Sequence, residues 1–534
     1  MAVRVGGVLG RSLASAMQRA QGRDAPAVVG ELKVLLNGLG GELSHERACT
    51  EYVLAVAHLL AGNLEQAVRA ADACSAIGTS LQEPGWAANA LSLRALAMER
   101  LGRAAESIDD LVRCEFETSR THDPGLSAWA HAGLGTAYEE LRLFELAGPH
   151  YERTSALRAD PLDFPESELI DELNLSSIHA IWAREMSMLG GTRASLEREV
   201  ERLRRVAAHH ARRAIALRTP SAFPHLVLRA RLLLAANDVD AEAGPRLAEL
   251  LELRRLFSAA EDDASTVECT ATLAEVLAGA DDVAGAAREA RRAVDVLTPD
   301  ADTSLDRYVR WVGLTVQQAE GDGWAASGLA FGATVARGWW GQRENKLEMM
   351  RAAISGYARY QTNEGDRRAA REDPLTGLGN RRAFDEWLAS PEAGQAPCTL
   401  LLYDVDRLKL VNDTWGHEAG DDLLGAFASA LVDNTRHPDL TLRLGGDEFV
   451  IVLRDCGPED GPLVADRISL ALDALARDAE RPHRAVLSAS LGMAGTHEGL
   501  PVDRLLGVAD GRMYERKRER ADLPGERRGD LAVG

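Results

Sequence analysis

A pair of helices recurs about every 40 residues over the first 340 residues of this 534-residue chain, and this recurrence constrains most of the fold. In each copy an apolar helix ends in a small turn, and a second, alanine-rich helix follows it. Two short helices cannot bury their apolar faces alone, so repeated pairs stack against their neighbours. The sequence therefore predicts an all-α helical-repeat solenoid. The clearer copies lie at 59–67, 99–107 and 140–147, and the weaker ones lie at 236–238, 279–282 and 321–324.

The repeats of residues 1–340 resemble tetratricopeptide-like units, and 132–157 is the best single match. Their period is longer than the 34 residues of the standard unit. The resemblance implies a concave surface that binds a peptide or a helix, so we expect a sensory or interaction domain with an unknown protein partner. A scaffold that only dimerises the chain is the alternative. Residues 184–213 are less regular and are interpreted as a longer helix or an insertion.

Residues 341–370 are predicted to form a connecting signalling helix. Five of its residues follow a three-four spacing and would lie on one apolar seam: Leu347, Met350, Ile354, Tyr357 and Gln361. Such a seam predicts a short coiled coil between two copies, or packing onto the repeats. If two copies pair there, rotation or separation of the helices would set whether their C-terminal sites face each other.

Two glycines near the C-terminus predict a β-hairpin. Gly445 and Gly446 lie between the apolar runs 440–444 and 449–453, and glycine accepts the positive φ that a tight turn requires. Two carboxylates, Asp447 and Glu448, follow the glycines directly. On its own this segment suits a solvated turn as well as a ligand site.

A second acidic cluster lies about 40 residues upstream, where the apolar run 400–403 ends in Asp404 and Asp406. Ligands of α/β folds gather at the carboxyl ends of strands. Magnesium takes oxygen ligands from a few carboxylates and from substrate phosphates. Alone, this cluster would suit an ordinary polar strand end. Together with Asp447 and Glu448 it favours a joint metal and nucleotide site.

The last 160 or so residues resemble diguanylate cyclases of the GGDEF type, because several spaced motifs occur in order. These are Asp373-Pro-Leu-Thr-Gly-Leu-Gly-Asn-Arg-Arg382, Asp404-Val-Asp-Arg-Leu-Lys409, Asn412-Asp413, Gly416-His417, Gly420-Asp421 and Gly445-Gly-Asp-Glu-Phe449. The resemblance implies an α+β ferredoxin-like, palm-type nucleotide cyclase fold over 371–523. The predicted order after residue 399, strand, helix, strand, strand, helix, strand, helix, agrees with a split βαβ pattern. Residues 524–534 are expected to be a flexible tail.

The resemblance also implies a reaction, the condensation of two GTP molecules into cyclic di-GMP with release of two pyrophosphates. Each domain would hold one GTP, so catalysis would require a homodimer. Asp404, the Val405 carbonyl and Asp447 would hold magnesium, or alternatively manganese, and Glu448 would add a second carboxylate to the metal site. Asp447 would also take the proton of the attacking hydroxyl, which makes Asp447 and Glu448 the expected catalytic residues.

The substrate-binding residues that the resemblance implies are Lys409, Asn412, His417, Asp421, Gly445, Gly446 and Lys517. Asn412 and Asp421 would read guanine, since an amide offers a donor and an acceptor and a carboxylate accepts from the base N1–H and amine. Lys517 would lie near the phosphates as a mobile point charge. Without the resemblance, Asn412 and Asp413 would suit a turn and His417 the surface.

Two departures from the family pattern affect expected contacts. Leu408 stands where the family has phenylalanine, which keeps an apolar contact but changes the packing under the guanine pocket. Arg520 and Ala521 stand where the family has glycine and arginine, which leaves one phosphate contact in doubt unless Arg518 or Arg520 replaces it. We expect a lower rate and not a loss of function.

Arg436 and Asp439 match the Arg-x-x-Asp motif through which many of these cyclases bind their own product. An arginine fork suits phosphate and guanine edges. The resemblance therefore implies inhibition by cyclic di-GMP. As a bare pattern, two charged residues three apart usually belong to a solvated loop.

Composition narrows the possible binding partners, the state of the cysteines and the location of the protein. A net charge of -21 disfavours nucleic acid as a direct partner. The six cysteines lack metal-ligand and disulfide-framework spacing, so reduced, mostly buried thiols are expected. No apolar run reaches the roughly 18 residues needed to span a bilayer, and we expect a cytoplasmic signalling enzyme without membrane insertion.

Two other functions fit parts of the same pattern. A catalytically silent receptor for GTP or cyclic di-GMP would use the nucleotide only to regulate a protein partner, but the intact Asp404, Asp447 and Glu448 favour activity. A cyclase for another purine nucleotide is the third possibility, and Asn412 and Asp421 favour guanine over it.

Overall fold

The computed structural model describes residues 7–157, 167–190, 194–217, 224–297, 303–477 and 481–521. The chain divides into two units, Met1–Ala358 and Arg359–Gly534. The tail predicted at 524–534 lies outside the described residues.

The first unit is built of α-helices, as the repeat pattern predicts. In the described part they are α1 (Gly7–Arg19), α2 (Ala25–Gly38), α3 (His45–Leu60), α4 (Leu64–Ser80), α5 (Pro84–Arg100), α6 (Ala104–Arg120), α7 (Pro124–Glu140), α8 (Phe144–Leu157), α9 (Ser167–Ser187), α10 (Ala194–Ala216), α11 (Pro224–Asn237), α12 (Ala243–Ala259), α13 (Asp263–Gly279), α14 (Val283–Asp295), α15 (Thr303–Ala319) and α16 (Gly323–Arg371). A π-helical turn, Ala20–Asp24, joins α1 to α2.

The same three-residue turn joins helices along this unit. Its middle residue adopts a left-handed backbone and is Gly62, Gln82, Gly102, Arg142, Glu261, Asp281 or Gly321. The next amide closes the helix end: the Asn63 amide donates to the His58 carbonyl over 2.9 Å, and the Asp282 amide donates to Leu277 over 3.0 Å. This hydrogen bond across the helix end is a common C-terminal cap. The turns coincide with most of the recurring segments, the weaker ones included.

The helices stack in the order of the chain. From α3 to α15 each helix packs on the next, and α3, α5 and α7 also contact each other in series, as do α9, α11, α13 and α15. Packing of each helix on its neighbours along the chain is the packing of a solenoid, so the predicted fold class is confirmed. The less regular region, 184–213, overlaps the long helix α10 of 23 residues.

Helix α16 is 49 residues long and begins before the connecting helix predicted at 341–370. Its seam packs within the chain: Leu347 and Met350 are buried in the core of the first unit, and Ile354 and Tyr357 pack against that core. Within the single chain the seam thus packs onto the repeats, and a coiled coil between two copies stays a prediction.

The second unit contains a five-stranded sheet covered by helices. Its strands are β1 (Gly379–Asn380), β2 (Cys398–Val405), β3 (Leu440–Gly445), β4 (Glu448–Arg454) and β5 (Ala489–Gly495). Its further α-helices are α17 (Arg381–Leu388), α18 (Leu408–Trp415), α19 (His417–Asp433), α20 (Asp460–Ala476) and α21 (Val502–Ala521), with 3-10 turns at Pro482–Val486 and Thr496–Glu498. The order of elements confirms the predicted α+β fold.

The strand order is β1-β3-β4-β2-β5. Strand β2 pairs antiparallel with β4 and β5, whereas β1 pairs parallel with β3. Every residue of β2 is buried, because helices cover both faces of the sheet. One core packs Tyr403 and Phe449 against Phe427 of α19, and the other packs Leu402 and Val450 with residues of α17 and α21.

No described helix combines the length and apolar character that a bilayer crossing requires. The six cysteines all lie in the described part of the chain, where each is buried and free of disulfides, as predicted.

Candidate active site

The two acidic clusters meet where β2 ends and β4 begins. Asp404 of β2 and Glu448 of β4 are directly opposed in the antiparallel register. Opposed residues project from the same face with their Cβ atoms roughly 5 Å apart. The Val405 amide donates to the Asp447 carbonyl over 2.9 Å, which ties the hairpin turn to the end of β2. The structure therefore brings together the acids that the sequence selected.

These carboxylates are buried enough to repel one another. Burial raises the pKa of Asp404, and the neighbouring charge of Asp447 raises it further. Burial also raises the pKa of Glu448, with added contributions from Asp404, Asp447 and Asp510. Each raised pKa records burial first and nearby negative charge second, and a bound cation would offset both.

Lys517 of α21 already supplies one cation at this cluster. Its Nζ lies 2.6 Å from Oδ1 of Asp404. Burial lowers the pKa of Lys517, but the hydrogen bond and charge of Asp404 outweigh it, and the pKa is raised overall. The structure thus places Lys517, predicted near the phosphates, on a carboxylate predicted to hold metal.

The donor set suits magnesium only when the substrate completes it. Among the described residues there is no group of three or more His, Cys, Asp or Glu side chains that could hold a metal ion. Magnesium is commonly held by one or two carboxylates together with substrate phosphates and water. Asp404 and Glu448 fit that pattern, with the Val405 carbonyl and Asp447 beside them.

The diglycine turn is held by a half-buried ion pair. Gly445 and Gly446 have φ values of 145° and 57°, where side chains are disfavoured. The Arg443 guanidinium donates to the Gly446 carbonyl over 2.7 and 3.1 Å and to Asp373 over 2.9 Å. Asp373 also accepts from the amide of Thr376 over 3.0 Å. Arg443 and Asp373 therefore position the turn, a role that sequence reasoning did not assign.

The predicted guanine-reading residues lie on two adjoining helices. Asn412 is half-buried on α18, and Asp421 is exposed in the first turns of α19. A Cβ at Gly420 would lie 1.9 Å from Oδ1 of Asn412, so the amide packs on the backbone next to Asp421. His417 begins α19 and is exposed, as is Lys409 on α18. The structure thus brings Asn412 close to the start of α19.

Comparison with known proteins decides the kind of domain. The family described as "Diguanylate cyclase, GGDEF domain" matches residues 370–522. These residues form a GGDEF domain. The GGDEF domain is 36% identical over 150 residues to "Diguanylate cyclase DosC" of Escherichia coli (strain K12), a match that covers 27% of this chain and 33% of that protein. It is 35% identical over 151 residues to "Response regulator PleD" of Caulobacter vibrioides (strain NA1000 / CB15N), covering 27% of this chain and 33% of that one.

The chain thus spans about a third of the length of these curated relatives. Among solved structures, the coiled coil and GGDEF domain of DgcB from Caulobacter crescentus in complex with c-di-GMP is 28% identical, with a TM-score of 0.30, covering 33% of this chain and 94% of that one. Diguanylate cyclase SiaD in complex with its activator SiaC from Pseudomonas aeruginosa is 27% identical, with a TM-score of 0.27. The match covers 43% of this chain and 95% of that one.

Two further acids of the GGDEF domain escaped the sequence analysis. Asp510, whose charge reaches Glu448, lies seven residues before Lys517 on α21, a spacing of two helical turns that could have revealed it. Asp422 accepts from Arg484 over 2.7 and 2.9 Å, from His483 over 2.7 Å and from Arg481. The bonds from Arg484 contribute most to lowering the pKa of Asp422 to about 2. Asp422 therefore anchors the start of α19, next to Asp421.

The residues of the predicted product site differ in exposure. The Asp439 side chain is only 3% exposed, whereas that of Arg436 is 64% exposed. Asp439 accepts from the Arg454 amide over 3.0 Å and from the Arg436 amide over 3.3 Å. Asp439 thus holds the connection between α19 and β3, and the exposed Arg436 guanidinium donates to the carbonyls of Arg454 and Asp455 over 3.2 and 3.4 Å.

Of the two departures from the family pattern, Leu408 is half-buried against the core beneath α18 and α19. The side chains of Arg520 and Ala521 lie outside the described residues. Arg518, the other candidate for a phosphate contact, is exposed on α21.

Proposed function

We propose that this protein is a diguanylate cyclase that condenses two GTP into cyclic di-GMP and two pyrophosphates. The observation that carries the proposal is the meeting of Asp404, Asp447 and Glu448 at the ends of β2 and β4, with raised pKa values for Asp404 and Glu448. Such a site favours a bound cation, and the magnesium ion that accompanies a nucleoside triphosphate supplies one. Relatives of the GGDEF domain that are named diguanylate cyclases support the same reaction.

In this proposal the acids hold the metal and take the proton. Asp404, Glu448, Asp447 and the Val405 carbonyl would hold magnesium, which would neutralise phosphate charge and position the reacting groups. The 3′-hydroxyl of one GTP attacks the α-phosphate of the other, its proton passes to Asp447, and pyrophosphate leaves. A second attack in the opposite sense closes the ring. Because one domain holds one GTP, the active form is a homodimer.

The surrounding residues select and hold the nucleotide. Asn412 and Asp421 hydrogen-bond the guanine edge, and an adenine there would leave both groups unpaired. Gly445 and Gly446 let the phosphates approach the backbone. Lys517 moves from Asp404 to the phosphates when the nucleotide arrives, while His417 and Lys409 border the site.

We infer two kinds of control. The helical unit senses a protein partner, and α16 is the element that runs from it into the GGDEF domain. Cyclic di-GMP binds at Arg436 and inhibits its own synthesis, and Asp439 keeps that loop in shape. The enzyme acts in the cytoplasm, where GTP is available and its buried thiols stay reduced.

A silent nucleotide receptor is the second candidate, and one contact favours it. Lys517 pairs with Asp404, so the acidic site could bind GTP without holding metal productively. In that case binding would regulate a partner and no product would form.

The test incubates the purified full-length protein with GTP and magnesium, then manganese, and resolves nucleotides by chromatography with mass detection. An Asp447→Ala and Glu448→Ala double variant is the negative control, and exposed Asp473→Ala with Glu459→Ala is the matched control. Cyclic di-GMP from the wild type and the matched control, but not from the double variant, would establish the reaction and its site. Retained GTP binding without product would favour the receptor, or an activating partner that is missing from the assay.

A further inference from the structure

An open groove of about 590 Å³ lies on the first unit between α12 and α14. Helix α12 lines it from Leu251 to Ala259, which is a length of roughly 12 Å at 1.5 Å per helical residue. Thr266 and Thr270 of α13 lie between the two helices. An extended peptide advances by about 3.3–3.6 Å per residue, so the groove has the length of a short peptide segment.

Three arginines line this α12–α14 groove and outnumber their carboxylate partners. They are Arg254, Arg255 and Arg292. The Glu289 carboxylate is shared, at 2.5 Å from Arg254 and 3.3 Å from Arg292. Over the described ranges of the chain, no other carboxylate lies within 4.0 Å of the three guanidinium groups. Three positive charges less one negative charge leave an excess of two.

The arginines differ in how far a ligand could reach them. Glu289 fixes Arg254 against α14, where the Arg254 side chain is 21% exposed. The Arg292 side chain is 58% exposed, and Arg255 is exposed without a carboxylate partner in the described chain. An arginine fork offers paired donors that match a carboxylate. Arg255 and Arg292 therefore present the donors that a ligand with two carboxylates would use.

Exposed aliphatic side chains border the same groove. Leu251 is 49% exposed and Val296 is 44% exposed. A small anion would neutralise the arginines but would leave this apolar surface in water. Apolar side chains next to a charged rim are typical of surfaces that bind proteins. A ligand that carries both carboxylates and an aliphatic side chain matches the whole groove.

We propose that the α12–α14 groove binds an acidic peptide segment of a protein partner. Two carboxylates of the segment pair with Arg255 and Arg292, and an aliphatic side chain covers Leu251 and Val296. A nucleic acid would match the charge but not the aliphatic side chains. This proposal names the chemistry of the partner that the helical unit is proposed to sense, and it rests on that part of the proposed function.

The test measures fluorescence anisotropy of rhodamine-labelled peptides on the full-length protein. The probe is Glu-Leu-Glu-Glu-Leu-Glu. One control peptide replaces each glutamate by glutamine, another replaces each leucine by serine, and an oligothymidylate of similar charge tests nucleic acid. Arg255→Gln and Leu251→Ser alter the groove. Arg288→Gln and Leu60→Ser are matched controls, because Arg288 and Leu60 are exposed and do not line the groove.

We expect the acidic leucine peptide to bind one site per chain and both control peptides to bind more weakly. Arg255→Gln should weaken binding about fivefold, the upper end for an exposed ion pair, and Leu251→Ser should weaken it as well. The matched controls should bind like the wild type. Equal weakening by Arg288→Gln would indicate unspecific attraction of charge, and absence of binding to the wild type would also overturn the proposal.

Two further results would assign the groove to another occupant. Tighter binding of the oligothymidylate would assign it to nucleic acid. Sedimentation showing that Arg255→Gln dissociates a wild-type dimer would assign it to a second copy of the chain. Cyclic di-GMP synthesis is measured separately for each variant, and Arg255→Gln should keep the wild-type rate. Synthesis without peptide binding would refute the groove alone, whereas peptide binding without synthesis would refute the cyclase alone.

Discussion

The Nζ atom of Lys517 lies 2.6 Å from Oδ1 of Asp404, so the last described helix, α21, supplies the cation that faces the acidic end of β2. The two residues are far apart in sequence and are joined only by the packing of α21 on the sheet. The contact places a mobile ammonium where a metal is expected to bind. Metal and lysine should therefore compete for Asp404 until a nucleotide gives the lysine another partner.

Lys517→Gln is expected to change metal and nucleotide binding in opposite directions. Manganese alone should bind more tightly, because Asp404 loses its competing cation. A non-hydrolysable GTP analogue should bind about tenfold more weakly, because one charged phosphate contact is lost. Isothermal titration measures the binding of both ligands, with exposed Arg504→Gln on the same helix as the control. Weakening of both ligands would show that Lys517 only organises the site.

Glu448→Gln should alter the dependence of stability on pH. The folded-state pKa values of Asp404 and Glu448 are raised, so the folded state binds protons more tightly than the unfolded state. The free energy of unfolding therefore falls as the pH rises from the usual carboxyl range through the raised values. The variant should lose less stability over that range, and magnesium should stabilise the wild type more at pH 7 than at pH 5.

Scanning calorimetry of the full chain between pH 4 and 7 measures this effect, with exposed Glu459→Gln as the control. The contrary result is a free energy of unfolding that changes in parallel with pH for wild type and Glu448→Gln over the whole range. That result would mean that the carboxylate repulsion is relieved in another way.

Asp422→Asn should destabilise the GGDEF domain at neutral pH by about 1–2 kcal/mol, since charge-assisted hydrogen bonds to Arg484 and His483 are weakened. The pKa of Asp422 is lowered to about 2, so its contribution is present above its usual pKa and is lost as the pH falls through about 2. The free energies of unfolding of wild type and variant should thus converge at acidic pH. Hydrogen exchange at the start of α19 locates the loss, and exposed Asp473→Asn should leave that exchange unchanged.

Arg436→Ala should raise the inhibition constant for cyclic di-GMP by about tenfold with little change in the initial rate. Its side chain is largely exposed, whereas Asp439 is buried and bonded to backbone amides. Initial rates at increasing product concentrations measure the effect, with exposed Arg477→Ala for comparison. Asp439→Asn should lower the unfolding temperature as well. Unchanged inhibition in Arg436→Ala would place the product elsewhere.

Gly492→Ala should destabilise the second unit by about 1–3 kcal/mol, the usual range for overpacking. A Cβ at Gly492 would lie 1.9 Å from the carbonyl oxygen of Ala509, so α21 must shift on β5 and move Lys517 with it. Gly507→Ala on the same helix meets no atom within 4 Å and should be neutral or stabilising by up to about 1 kcal/mol. Thermal unfolding compares the two, and equal effects would contradict close packing at Gly492.

Local sequence rules determined the helices and strands. In the candidate site they determined the glycine turn and the acids at the strand ends. The repeat turns around Gly62 and Gly102 follow from helix-ending residues, which act over about five positions. The hairpin at Gly445 and Gly446 follows from turn chemistry, and the acids at strand ends follow from the apolar runs beside them. The unbroken apolar run before Asp404 fits the fully buried strand β2, and the pairing of β2 with β4 then opposes Asp404 and Glu448.

Tertiary structure alone decided which distant groups became neighbours. Lys517 faces Asp404 and Asp510 reaches Glu448 because α21 packs on the sheet, and no local pattern encodes that packing. The apolar spacing of the α16 seam does not show what the seam contacts, and it is the folded chain that buries Leu347 and Met350 against the repeats. Likewise Arg307 and Glu185 meet only because α9 and α15 pack together. Backbone propensities act over a few residues, whereas burial and charge pairing depend on contacts that only the folded chain creates.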